Sequence, residues 1–265
     1  MTRTRVEVTV SPDRVSATRA FLLVYGIVVI KQVLTWFVLY RFAGYNNVTL
    51  NATQAVTLFL GIVLVMIYRL GWRRIGLGAR ELGQGAAVVA VAHVVLLGAS
   101  LTLRATGAEV PLFRDTYRLD ALFNNWVLTG FAEELVFAGV IFRLALVALG
   151  RERRFPSAWP VVGLVAAMFS LWHLPGFIAV ALRCGGMGWG LLGELAIPFA
   201  SWLFFGAIYV LSGSLWLAAF VHASTDYALL PAITNQPLMG VIFMLTNVAL
   251  AWWLGRRDRP VRQNG

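Results

Sequence analysis

Trp126-Val127-Leu128-Thr129-Gly130-Phe131-Ala132-Glu133-Glu134-Leu135-Val136-Phe137-Ala138-Gly139 sets two adjacent carboxylates inside a run that is otherwise apolar or small. Its apolar positions are continuous rather than alternating. That is the pattern of a buried helix, not of a barrel strand with one wet face. Neighbouring glutamates on a helix point about 100° apart, so one can be chemical while the other is structural. In lipid an unpaired ionisable side chain costs about 3 kcal/mol or more, which makes two of them in one apolar segment informative.

Outward from this segment the chain repeats the same texture. Of its 265 residues 59% are hydrophobic and 13% charged, and the mean hydropathy is +0.76, values that water-soluble domains rarely reach. Apolar runs place spans near 20–40, 53–70, 84–103, 122–149, 158–182, 190–211, 214–230 and 238–254. The expected fold is therefore an all-α integral membrane protein, a bundle of about eight transmembrane helices forming one membrane domain over 1–265. The first span lacks a small-residue cleavage site and reads as an anchor rather than a cleaved signal.

Charge sorts by loop parity. Arg3, Arg5, Arg14 and Arg19 lie in the N-terminal tail (1–19), Arg69, Arg73, Arg74 and Arg80 around the second loop, Arg143, Arg151, Arg153 and Arg154 around the fourth, and Arg256, Arg257, Arg259 and Arg262 in the basic tail (255–265). The other face carries Arg41, Arg104, Arg114, Arg118 and Arg183, diluted by Glu109, Asp115 and Asp120. Both termini are expected in the cytoplasm. The net charge of +10 thus belongs to topology. A nucleic-acid partner is not expected, because no basic arm with interleaved aromatics exists. The expected surroundings are the lipid bilayer.

The single cysteine, Cys184, excludes an internal disulfide and a thiolate metal cluster and is read as a packing residue. Asn47-Val48-Thr49 and Asn51-Ala52-Thr53 match glycosylation sequons on the non-cytoplasmic side and carry little weight in so short a loop. Function must come from polar groups within the spans: Lys31, His93, Glu133, Glu134, His173, Glu194, His222 and Asp226. His93 has no polar partner at helical spacing and is read as packing. Phe169 and His173 share a face at i and i+4, as do His222 and Asp226. A carboxylate one turn from an imidazole can fix its tautomer or keep it protonated. Counted at about 1.5 Å per residue from the expected outer boundaries, Glu133, His173 and His222 lie roughly 10 to 17 Å inside, at comparable depth.

A carboxylate and two histidines around an intramembrane cavity, with no nucleophilic serine or cysteine beside them, fit hydrolysis by activated water. The carboxylate and one histidine would deprotonate the water, and the second histidine with a neighbour would hold the oxyanion. Two histidines and a carboxylate could also bind zinc. No H-E-x-x-H pair is present, however, and neither metal nor cofactor is expected.

At these residues the sequence resembles the CAAX protease and bacteriocin-processing family of intramembrane glutamate endopeptidases, also called the ABI family, over roughly residues 120–235. The first motif of that family, a diglutamate followed by arginine, corresponds to Glu133-Glu134-Leu135-Val136-Phe137-Ala138-Gly139; the second is met by Phe169 and His173, and the third by His222 and Asp226. Gly206-Ala207-Ile208-Tyr209 and Ser212-Gly213-Ser214-Leu215-Trp216 also look like the family's approach to that last histidine. The resemblance implies a CAAX prenyl protease-related endopeptidase acting on a membrane-associated protein or peptide. Glu133 and His173 would activate water, His222 and Asp226 would form the oxyanion site, and Glu134 and Phe169 would support them. Ala138 departs from the pattern, standing where the family usually has arginine, and Arg143 lies on a different face. Two other readings stay open: a catalytically silent scaffold or regulator of the same family, and a proton-coupled transporter using Lys31, Glu194 and Asp226 as relays. The preference for arginine over lysine hints at a GC-rich genome, and a bacterial cell membrane is the expected location.

Overall fold

In the computed structural model residues 14–113, 117–151, 156–184 and 190–257 are described, and the regular elements among them are all helices. We label them α1 (Val15–Ala43), α2 (Asn47–Ile67), α3 (Ala79–Ala105), α4 (119–148), α5 (Trp159–Cys184), α6 (Gly190–Ser212), α7 (Leu215–Asp226), α8 (Ala232–Asn235) and α9 (Pro237–Arg257). Six of them, α1, α2, α3, α5, α6 and α9, are long and apolar enough to cross a membrane. With the remaining elements helical as well, the chain is an all-α, multi-pass integral membrane protein.

The two expected spans outside those six are the ones that bear the diglutamate and the last histidine. α4 is long but carries Asn124 and Asn125 near its start and Glu133 and Glu134 in its middle. α7 has 12 residues, about 18 Å of helix against roughly 30 Å of hydrocarbon. The expected 214–230 span therefore ends early, at Asp226, and the chain beyond it turns through Pro231 into the single turn of α8. The second span begins six residues before its expected start of 53. Asn46 caps α2 by accepting from the Val48 and Thr49 amides, while Thr49 returns a bond to the Asn46 amide, a reciprocal cap that fixes a helix start. The two sequons consequently lie inside helix. Helix begins at Arg14, within the stretch expected as the N-terminal tail (1–19). Arg3, Arg5, Arg114, Asp115, Arg153, Arg154, Arg259 and Arg262, and the side chain of Cys184, lie outside the described residues.

The helices are gathered at two ends by backbone contacts. At one end the 68–78 turn meets the α6–α7 turn: the Leu215 amide donates to Gly76 O over 3.2 Å, and Tyr209 Oη donates to Ile75 O over 3.2 Å. Gly76 has φ 86°, and a side chain there would strike the backbone of Gly213 and Leu215, so only glycine allows this approach. Arg143 donates to Arg74 O at the same end, and Gly255 near the end of α9 lies against Leu211 O. At the other end Tyr117 donates to Leu229 O over 2.6 Å, the Arg118 amide donates to Tyr227 Oη over 3.0 Å, and Asn47 donates to Asp120 over 2.8 Å.

α4 runs through the middle. Ala132, Leu135, Val136, Phe137, Ala138, Val140, Ile141 and Phe142 are all fully buried, as its unbroken apolar sequence demands. Its neighbours are α1, α2, α5 and α7. Its winding is uneven: Asn124–Thr129 and Leu135–Ile141 form i→i+5 turns, with the single α turn Gly130–Glu134 between them. Such π turns are uncommon and recur at functional sites.

Candidate active site

The α turn of α4 that carries Glu133 and Glu134 packs against α7, where Gly130 makes the approach possible. A Cβ on Gly130 would sit 2.9 Å from Ala219 O and 3.0 Å from Ala223 Cβ. Small residues on both helices thus bring the backbones together, the usual means of tight packing in lipid. Ser214 starts α7 by accepting from the Leu217 amide over 3.1 Å, and two turns later the helix delivers His222 to the glutamates.

His222 is 4% exposed and Glu134 0%. His222 Nδ1 lies 3.0 Å from Glu134 Oε1, and its Nε2 lies 3.4 Å from Asp226 Oδ2 and 3.9 Å from Glu133 Oε2. Each ring nitrogen therefore faces a carboxylate. The ring is held flat against Phe205 of α6, with centroids 4.4 Å apart and planes 17° from parallel. Glu133 turns its other oxygen away: Oε1 accepts from Gln54 Nε2 of α2 over 3.1 Å. The i, i+1 divergence expected of the glutamates is realised, one bridging α2 to the imidazole and the other buried beneath it.

His173 stands on α5 two residues before Pro175, a residue with no amide to donate within the helix. Its Nδ1 is 2.8 Å from Phe169 O. A carbonyl only accepts, so Nδ1 is the protonated nitrogen and Nε2 is left as an acceptor. Phe169 lies between the two histidines, edge-on to His173 at 4.6 Å and to His222 at 6.1 Å. Its ring also meets Phe137 of α4 at 4.9 Å. The three sequence motifs, on α4, α5 and α7, thus converge on one place.

Other polar candidates are sorted by the fold. Lys31 approaches the site from α1, donating to Thr57 Oγ1 over 2.7 Å. Glu194 is exposed near the start of α6. His93 is elsewhere, its Nδ1 2.8 Å from Val89 O and its ring against Phe243 at 5.5 Å. It lines an apolar cavity of about 710 Å³ with Val89, Trp126, Phe220 and Leu230. That cavity lies behind α7, since Phe220 and His222 point to nearly opposite sides of the helix. Sequence reasoning missed Gln54 and Phe205. Gln54 is an amide in an apolar span, a weak signal that its contact with Glu133 alone makes specific; Phe205 carried no signal in a chain with 17 phenylalanines.

Among the described residues no group of three or more His, Cys, Asp or Glu side chains is arranged to hold a metal ion. What the arrangement offers is a carboxylate oxygen, Glu133 Oε2, beside an imidazole with its second nitrogen anchored, and a second imidazole with a free acceptor. Those are the parts of a general-base site with a nearby hydrogen-bond donor.

No curated protein and no solved structure matches the chain. A family model does: residues 117–228 match the one described as Rce1-like, Type II CAAX prenyl endopeptidase Rce1-like. The match agrees with the resemblance expected over 120–235 and begins and ends with the elements that build the site. The stretch of the chain that carries Glu133, Glu134, His173, His222 and Asp226 is thus the stretch that is similar to the Rce1-like family.

Proposed function

We propose that this chain is an intramembrane endopeptidase that hydrolyses a peptide bond of a membrane-associated protein or peptide with water activated by Glu133 and His173. Glu133 Oε2 takes the proton of the attacking water, with His173 Nε2 as the second acceptor that orients it. His222 Nε2–H donates to the oxyanion that forms on the scissile carbonyl, with Asp226 holding that nitrogen in the resting site. Glu134 anchors His222 Nδ1, so the working nitrogen is turned toward Glu133. Phe169 and Phe205 wall the imidazoles and exclude bulk water, which strengthens each of these interactions.

The observation that carries this reading is the position of His222 Nε2 between Glu133 and Asp226, at 3.9 and 3.4 Å, with Nδ1 tied to Glu134. A purely structural buried pair has no need of a third carboxylate or of a second imidazole across a shared phenylalanine. Glu194 is exposed near the start of α6 while Lys31 and Asp226 approach the site, so the relay of the transport reading is not continuous.

The test is Glu133→Gln, nearly isosteric and unable to accept the proton at neutral pH. Turnover of membrane peptides by purified protein should fall by about 10²–10⁴-fold while the variant folds as wild type. His173→Ala should act in the same direction. Identical cleavage profiles for wild type and Glu133→Gln sink the proposal, and a cellular phenotype that survives Glu133→Gln but needs the intact protein points to a scaffold.

A further inference from the structure

The site gathers three carboxylates, Glu133, Glu134 and Asp226, within 3.9 Å of a single imidazole. One imidazolium can balance one of them. Glu133 and Glu134 are buried, at 4% and 0% exposure, while Asp226 is exposed, so one buried negative charge is left over, and it costs free energy unless another cation is close. Lys31 meets that need from α1, a helix wholly outside the segment that matches the Rce1-like family model.

Lys31 Nζ donates to Thr57 Oγ1 over 2.7 Å and to Gln32 Oε1 over 3.4 Å, and lies 5.6 Å from the ring of Trp172, the neighbour of His173. Both hydrogen-bond acceptors are neutral, so neither returns the lysine's charge. Thr57 is three residues from Gln54 on α2, on the same helical face, and Gln54 is the donor to Glu133 Oε1. Through these two side chains, one turn apart on α2, the ammonium and the Glu133 carboxylate are held to the same face of that helix.

Resting on the endopeptidase reading for its catalytic consequence but not for its geometry, we propose that Lys31 is the counter-charge of Glu133 and a positioning residue for the water-activating pair, held in place by Thr57 and Gln54. The lysine touches no reacting atom. It stabilises the carboxylate form of Glu133, the form that accepts the proton, and Gln54 fixes Oε1 so that Oε2 faces His222.

A double-mutant cycle on thermal unfolding of the purified full chain tests the pairing without reference to activity. Lys31→Met should lower the unfolding temperature of wild type and should lower it clearly less, or raise it, in the Glu133→Gln background. Equal shifts in both backgrounds overturn the proposal. If Lys31→Met alone does not accumulate, the added Glu133→Gln should recover folded protein, and failure to recover it also overturns the pairing. On cleavage, Lys31→Met should reduce kcat at least tenfold with KM little changed, and Lys31→Arg, which keeps the charge, should recover most of the loss. Equal loss in both lysine variants rejects the charge role. Wild type without any turnover removes the endopeptidase reading and leaves the cycle to decide the pairing alone.

Discussion

His222 is where a charge placed in lipid is most fully compensated, since each of its ring nitrogens faces a carboxylate from a different position in the sequence. Glu134 is the deepest of those carboxylates, with 0% exposure, and it has no route to water. Glu134→Ala should leave His222 Nδ1 buried without an acceptor, a loss of about 1–3 kcal/mol for the unsatisfied group alone, and should cut turnover. Glu134→Gln keeps an acceptor oxygen and should retain more of both. Thermal unfolding and cleavage rate of the two variants check this, and equal behaviour would remove the anchoring role. Glu133, Glu134, His173, His222 and Asp226 were legible in the sequence because lipid makes each of them expensive. Gln54 was not, because an amide is cheap enough in a span to pass for packing, and its value depends on α2 lying beside α4.

At the scale of elements, α4 and α7 are the two expected spans that fall outside the six long apolar helices, and they meet through Gly130. Gly130→Leu would place a side chain where Ala219 O and Ala223 Cβ already stand within 2.9–3.0 Å of a single carbon. The helices must part, at about 1–3 kcal/mol for overpacking, and Glu134 moves off His222. Cleavage should fall more steeply than stability, and Gly130→Ala should be the milder of the two; full activity in the leucine variant would mean that the approach is not needed. Ala138 poses a different problem. It is fully buried within an i→i+5 segment among apolar neighbours, so Ala138→Arg must fit a long cation where a methyl sits. Although Glu134 Oε2 is buried without a hydrogen-bond partner among the described residues, the volume has to come from a packed core. We expect a loss of folded protein rather than a gain of activity, read from detergent-solubilised yield and unfolding temperature. A stable variant with faster turnover would show that the arginine finds Glu134. The i→i+5 turns themselves were not legible, because they leave the apolar pattern of 122–149 unchanged and arise from how α4 meets its neighbours.

For the whole molecule, span positions were legible because hydrophobic length and caps are local properties, whereas the early end of α7 was not, because residues 227–230 continue the apolar run while their chain turns to meet Tyr117 and Trp126. The arginine asymmetry has a structural counterpart. The 68–78 turn with Arg69, Arg73 and Arg74 meets both the α6–α7 turn and Arg143 of α4, and the Arg256–Arg257 end of α9 lies against the end of α6, while Arg118 at the other end is matched by Asp120 at 2.5 Å. At that second end the pairing holds the Asp120 carboxyl below the usual carboxylate range, so the charge of Arg118 is balanced locally. Loops rich in arginine and lysine are retained on the cytoplasmic side, so the first end is expected to face the cytoplasm with both termini. Reporter fusions after Arg73, Arg151 and Arg257 should read cytoplasmic, and one at Gly107 should read external. The site then lies between the two ends, and His222, about 10 Å along α7 from Leu215, is nearer the cytoplasmic one. A membrane-impermeant thiol reagent applied from each side to Trp72→Cys, exposed on the 68–78 turn, in a Cys184→Ala background gives an independent reading, with labelling expected from the cytoplasmic side alone. Labelling of Trp72→Cys from outside, together with an external reading at Arg73, would invert the molecule and require a peptide substrate to reach Glu133 from the opposite leaflet.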